Sequence, residues 1–173
     1  KILVDKMVDE DLQLVGSHIH EIDNNSKIIG ARVVPLNQRR INFLKNLLSP
    51  FNHPSVALDV EALKKVGGYK NCYMFEDWFL WLHFLKENYK VANIDKFLVG
   101  FRMNQGTIDR RYGGKYRSYE RNFYFTAIKH GLLNPFVGFV CLIIRQFSKL
   151  IGRNIFQFFY RILHQPYKKK INN

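Results

Sequence analysis

From Lys129 to Asn173 the sequence contains no aspartate and no glutamate. Lys129, Arg145, Lys149, Arg153, Arg161 and the run Lys168-Lys169-Lys170 stand there without acidic counterparts, while the preceding part is closer to balance. A net charge of +13 held mainly at one end implies an anionic partner, either nucleic acid or an anionic membrane surface. Cysteine is scarce as well. Cys72 and Cys141 lie far apart, which excludes a disulfide framework and a metal knuckle. Two unpaired thiols suit a reducing compartment, and both read as small buried hydrophobes. No apolar run reaches the roughly 20 residues of a spanning helix. There is no basic segment followed by an apolar one at the start, hence no visible signal peptide. The first residue is Lys, and the chain opens inside an apolar pattern, so a longer protein is expected to precede it.

What is abundant is aromatic. Fifteen Phe and nine Tyr among 173 residues imply a large core or a surface that meets something apolar. Ile2, Leu3 and Met7 predict the tail of a helix. Leu12–Ile19 and Lys27–Val34 read as strands joined through Asn24-Asn25. Asn37 is expected to cap a helix that Pro50 ends, and Pro54–Leu58 is a short β-type run. Asp59 caps a short helix that Gly67-Gly68 closes. Glu76–Glu87 predicts an amphipathic helix with Trp78, Leu82 and Leu85 on one stripe and Trp81 and Phe84 beside it. Val91–Ile94 and Phe97–Phe101 read as two short strands, 104–114 as a basic loop, and Lys115–His130 as a helix. A boundary is expected near residue 131. It divides residues 1–130 from a basic, aromatic-rich tail, 131–173, whose amphipathic helices suit a membrane interface. In that tail Arg145, Lys149 and Arg153 recur four apart and start out on one side of a helix.

The densest signal lies between Pro50 and Leu85: Asn52-His53-Pro54, then Gly67-Gly68-Tyr69, then Glu76-Asp77 opening a helix that continues Leu80-Trp81-Leu82. Acidic residues favour any first helical turn, so the pair reads as capping on spacing alone. It also suits general base catalysis, because helix N–H groups and the helix dipole favour an ionised carboxylate there. The double glycine reads equally as a helix stop or as backbone open to a ligand. Tyr69 reads as a stacking platform or as core. His53, between Asn52 and Pro54, reads as a hydrogen-bonding group near a ligand or as a structural one. Trp78 and Trp81 read as core. Paired carboxylates can also mean a glycosidase, but no second acid stands in a comparable setting.

In order and spacing these motifs resemble the acceptor half of family-two glycosyltransferases of the GT-A fold, the branch that builds bacterial capsule, O-antigen and exopolysaccharide. The family pattern is GGY or GGF, then EDxxLWLR, with His83 here in the place of the usual Arg. The resemblance extends to Val15-Gly16-Ser17 upstream and to Phe101-Arg102 and residues 110–115 downstream. It implies an α/β fold: the acceptor-side part of a Rossmann-like mixed sheet, followed by C-terminal amphipathic helices. It implies an inverting transferase of the hexosyltransferase type, with Asp77 as base and Glu76 supporting it. Gly67, Gly68, Tyr69, His53 and Asn52 would bind the acceptor, and Arg102, Arg110 and Arg111 the donor diphosphate. Implied partners are a nucleotide-sugar donor, a lipid-linked saccharide acceptor and an anionic membrane surface, with no nucleic acid. The implied location is peripheral, on the cytoplasmic face of the inner membrane.

The family also needs a divalent metal, Mg2+ or Mn2+, held by an Asp-x-Asp motif after a strand. Asp9-Glu10-Asp11 has the letters, but it ends a helix and precedes a strand. The metal ligands and the nucleotide-binding half are therefore expected outside these residues, and the 173-residue chain alone is expected to be inactive. The competing reading is a non-catalytic basic module for membrane surfaces or nucleic acid.

Overall fold

The computed structural model describes residues 1–103 and 114–150, with side chains to Phe147. Helix α1 (Ile2–Asp9) leads into β1 (Leu14–Ile22), the axis of a four-stranded mixed sheet. Strand β4 (Val91–Arg102) runs parallel to β1 along its full length. The other edge of β1 is shared. Strand β3 (Val56–Leu58) pairs antiparallel with Leu14–Gly16, and β2 (Ile28–Arg32) pairs antiparallel with Ile19–Ile22. Between them lie α2 (Gln38–Leu44) and a single 3-10 turn, His53–Ser55. Helices α3 (Val60–Lys65) and α4 (Glu76–Lys86) precede β4, and α5 (Gly114–Lys129) and α6 (Pro135–Leu150) follow it. None of the described helices is long and apolar enough to cross a membrane.

Local chemistry sets the helix ends. The Asn37 carboxamide accepts from Arg40 N, and the Asp59 carboxylate accepts from Ala62 N. Helix α3 stops where Gly67 and Gly68 adopt φ of +78° and +66°. Their N–H groups return to Lys64 O and Leu63 O, closing the carbonyl end of the helix. The expected strands at 91–94 and 97–101 are one strand of 12 residues. Its register with β1 slips between Ser17 and His18, so that Asp95 and Lys96 stand out of the ladder. Asp95 meets the buried His18 ring at 3.3 Å, which gives the polar insertion its partner.

Helix α4 is buried on two sides rather than along one stripe. Leu80, Trp81, Phe84 and Leu85 join Leu14, Ile41, Phe51 and Val91 against the sheet. Trp78, Phe79 and Leu82 join Phe123, Tyr124, Leu133 and Leu142 of the helical layer. A helix apolar around most of its circumference has to be covered on both sides.

Residue 131 lies in a tight turn between α5 and α6. Gly131, at φ +64°, reverses the chain, and Asn134 Oδ1 accepts from Phe136 N and Val137 N at the start of α6. A Cβ on Gly138 would meet Ile128 at 3.0 Å, so the two helices approach closely there. Arg145, the first of the basic residues spaced four apart, turns inward. Its Nε donates to Glu120 Oε1 at 2.7 Å and its Nη1 to Leu47 O at 2.8 Å, and the guanidinium lies 5.2 Å from the Trp78 ring centre. Burial alone would lower its pKa, but the Glu120 carboxylate more than offsets this and raises it. The remainder of the expected tail, from Ile151 onward, lies outside the described residues.

Candidate functional site

Asp77 sits in the first turn of α4, beyond a loop that the sequence shapes tightly. Met74 takes a left-handed φ of +70°, and Phe75 N bonds back to Cys72 O at 2.8 Å. A non-glycine residue at such a φ is uncommon and marks a loop held by its surroundings. The N-cap position is Phe75, which supplies no side-chain cap. Asp77 Oδ1 accepts from Trp78 N at 2.7 Å, so the carboxylate serves the helix start as well as any chemistry.

The half-buried Asp77 is pushed above the usual carboxylate range by burial, and the Glu76 charge adds to this. The Trp78 N–H and the nearby His53 pull the other way without cancelling it. Tyr69 is raised by its own burial and then by the Asp77 charge. The Cys72 thiol is pushed up to about 11 by burial, then by Glu76 and Asp77. These mutual effects place Tyr69, Cys72, His53 and Glu76 around one carboxyl group. His53 Nε2 is 3.0 Å from the Tyr69 hydroxyl, and the His53 ring stands edge-on to Trp81 at 6.1 Å between centres. Both His53 and Tyr69 are exposed, so the cluster has an open side. A Cβ on Gly68 would meet nothing within 4 Å, whereas one on Gly67 would strike the Lys70 side chain. Gly68 therefore presents open backbone, while the φ of both residues already accounts for glycine.

Other expected site residues lie elsewhere. Asn52 is buried, and its Nδ2 donates to Ser17 O at 2.9 Å and Arg32 O at 3.2 Å. With both amide hydrogens engaged it is a staple between the 3-10 turn and the sheet rather than a ligand group. Arg102 donates from Nη2 to Ser26 Oγ at 3.0 Å and from Nη1 to Asp23 O, pinning the β1–β2 hairpin. It pairs opposite Ile22, which is about 16 Å along β1 from Ser17 at the rise of an extended strand. Arg110 and Arg111 lie outside the described residues.

Two features escaped the sequence reading. Cys72 borders Asp77 closely enough to feel its charge. Trp81 is fully buried, and its Nε1–H has no hydrogen-bond partner among the described residues. Trp81 stands four residues after Asp77, which puts those two on one face of α4. As for a metal, no group of three or more His, Cys, Asp or Glu is assembled among the described residues. Asp11 of the Asp9-Glu10-Asp11 run bonds Lys90 Nζ at 2.8 Å, so these carboxylates do not fit a divalent-ion site.

No family model matches the chain. Its relatives are bacterial glycosyltransferases. It is similar to the UDP-Gal:alpha-D-GlcNAc-diphosphoundecaprenol beta-1,3-galactosyltransferase of Escherichia coli, with 31% identity over 154 residues, 87% of this chain and 55% of that protein. An uncharacterized glycosyltransferase of Haemophilus influenzae is 26% identical over 149 residues, 86% of this chain and 55% of its own length. The amylovoran biosynthesis glycosyltransferase AmsE of Erwinia amylovora is 25% identical over 150 residues, 87% of this chain and 56% of its own. The chain spans about half the length of these curated relatives.

Proposed function

We propose that these residues form the acceptor-side part of an inverting glycosyltransferase of family two, with Asp77 as the catalytic base. The observation that carries this reading is the placement of Asp77. It heads a helix held on two sides and opens beside the exposed His53–Tyr69 pair, with its carboxyl raised above the ordinary range by burial. The names of the relatives agree with sugar transfer.

An acceptor hydroxyl is a weak nucleophile until its proton begins to leave. Asp77 takes that proton as the oxygen attacks the anomeric carbon from the face opposite the nucleoside diphosphate. The C–O bond to the diphosphate breaks as the new glycosidic bond forms, with inversion at that carbon. A raised pKa strengthens the base. Glu76, Tyr69 and the open backbone at Gly68 line the acceptor's approach, and His53 orients the Tyr69 hydroxyl. The donor is a nucleotide sugar bound by a half of the protein outside these residues. That half would also hold the divalent metal, whose Asp-x-Asp ligands the resemblance places after a strand. The acceptor is a saccharide carried on a lipid diphosphate, met at the cytoplasmic face of the membrane.

The deciding experiment is Asp77→Asn in the complete protein, assayed by transfer of radiolabelled sugar to lipid-linked acceptor. A fall of about 100- to 10,000-fold, with the fold retained, is expected. Transfer within a factor of about three of wild type would remove Asp77 from the chemistry.

A further inference from the structure

A second aromatic pair borders the open end of α4. On the sheet side stand His53 and Tyr69, with His53 edge-on to Trp81. On the side of the helical layer stand Tyr73 and Tyr119, their rings inclined at 67° with centres 4.7 Å apart. The turn that leads into α4 puts Tyr73 there. Phe75 N bonds back to Cys72 O, so Tyr73 and Met74 are its two central residues. Cys72 and Phe75 are buried in the core, while Tyr73 is 58% exposed. Met74 holds its φ of +70° where turns favour Gly or Asn, so the two buried ends impose the conformation of the turn. Tyr119 is fixed from the other side. Tyr116 and Phe123, on its own face of α5, meet the Phe75 ring at 5.4 and 5.0 Å between centres.

A single exposed tyrosine needs no explanation. A tyrosine held outward by a strained turn, braced by a second ring and four residues before Asp77, does. Three phenols and an imidazole border this end of the helix, and each ring ends in a polar atom. The border is therefore amphipathic. It suits a ligand that is apolar on its faces and polar at its rim, as a pyranose is, with C–H bonds on its faces and hydroxyls at its edge. Tyrosine offers such a ring a broad contact at the cost of two rotatable bonds, and its hydroxyl can exchange a hydrogen bond with the rim. An acyl chain would leave the phenol oxygens without partners.

We infer that Tyr73, braced by Tyr119, is a stacking platform for a sugar ring of the acceptor, on the flank of α4 away from Tyr69. The inference rests on the reading of these residues as the acceptor side of a glycosyltransferase, and it adds a binding residue to that reading. Tyr73 takes no proton. It holds the sugar, and Tyr119 is a positioning residue that acts through it.

The test is transfer of radiolabelled sugar by the complete protein at saturating donor, with the concentration of lipid-linked saccharide varied. Y73A should raise the acceptor KM about tenfold, with kcat within about threefold of wild type and the unfolding midpoint unchanged, as when a contact common to ground and transition states is lost. Y73F and Y73W should keep the KM within about threefold of wild type, whereas Y73L, which has no ring, should match Y73A. Y119A should raise the KM less, and Y73A/Y119A should be no worse than Y73A, because the second residue acts through the first. Should Y73A fold poorly, the contrast between Y73L and Y73F decides the matter. An unchanged acceptor KM in Y73A and Y73L would overturn the inference. So would a rise in the donor KM instead, or an equal fall of kcat and unfolding midpoint in Y73L and Y73F. The two readings fail separately. Transfer intact in Asp77→Asn with the KM raised in Y73A would remove the base and keep the platform. Transfer lost in Asp77→Asn with Y73A like wild type would keep the base and remove the platform.

Discussion

Replacing Arg145 by Met should destabilise the protein by about 3–5 kcal/mol, the usual cost of removing one member of a buried ion pair. The carboxylate of Glu120 has no solvent exposure. Oε1 receives Arg145 Nε at 2.7 Å and Nη2 at 2.6 Å, and Oε2 receives the neutral Gln146 amide at 3.0 Å. Without Arg145 the buried acid loses the guanidinium that faces Oε1. Leu47 O also loses a donor, and the Trp78 ring loses its cation, each worth about 1 kcal/mol and within the range given. Urea titration followed by tryptophan fluorescence reads the change directly. At a denaturant slope of about 2 kcal/mol per molar, the midpoint should fall by roughly 2 M. The pair itself is not expected to be strongly stabilising, because desolvation offsets much of its attraction. Glu120→Met combined with Arg145→Leu should therefore recover most of the loss. A single-variant effect below about 1 kcal/mol, or a double variant no better than the single one, would refute this account of α6 docking.

Asp77→Asn should leave stability at pH 7 unchanged or higher even as it abolishes transfer. A carboxyl whose folded pKa is raised gives stability below its unfolded pKa and loses it as pH climbs through the folded value, so its ionised form is a cost that Asn removes. A lower thermal midpoint for the variant would contradict this. The transfer rate should fall on acidification with an apparent pKa above the ordinary carboxylate range of about 4, and a pH–rate profile flat down to pH 4 would exclude the raised group as base. Gly16→Ala should cost about 1–3 kcal/mol by overpacking, because the new Cβ would stand 2.2 Å from Asn93 Oδ1. Asn93 cannot yield, since its Nδ2 is held by Pro35 O and Pro50 O, and an unchanged urea midpoint would show that it does. The Cys72 thiol, raised to about 11 and buried, should resist alkylation at pH 8 in the native protein while reacting in urea.

The capping chemistry was legible because it is local. Asn37, Asp59 and Gly67-Gly68 act on backbone within a few residues of themselves, and the structure puts each at the helix end it was expected to mark. The carboxylate pair was legible for the same reason. What failed was whatever depended on distant partners. The periodic stripe of Arg145 fixes a helix face but not its direction, and its partner Glu120 stands 25 residues earlier on another helix. Asn52 looked free because Ser17, its carbonyl acceptor, is 35 residues away. Strand β4 was divided in the reading because Asp95-Lys96 breaks the apolar run, and only the register with β1 reveals a bulge there. Helix α4 was given a stripe of Trp78, Leu82 and Leu85 with Trp81 and Phe84 beside it, and such a pattern does not tell that two layers will cover it.

A helix walled in on both flanks can be approached only from its end. Among the described residues the sheet closes one side of α4 and the α5–α6 layer closes the other, which leaves the N-terminal end of the helix, beside Tyr69, as the way to Asp77. The same confinement forbids the helix from sliding or rolling to suit a substrate. Adjustment in this region falls to the turn before it, at Met74, and changes of specificity are to be sought in residues 69–75 rather than in the helix they precede.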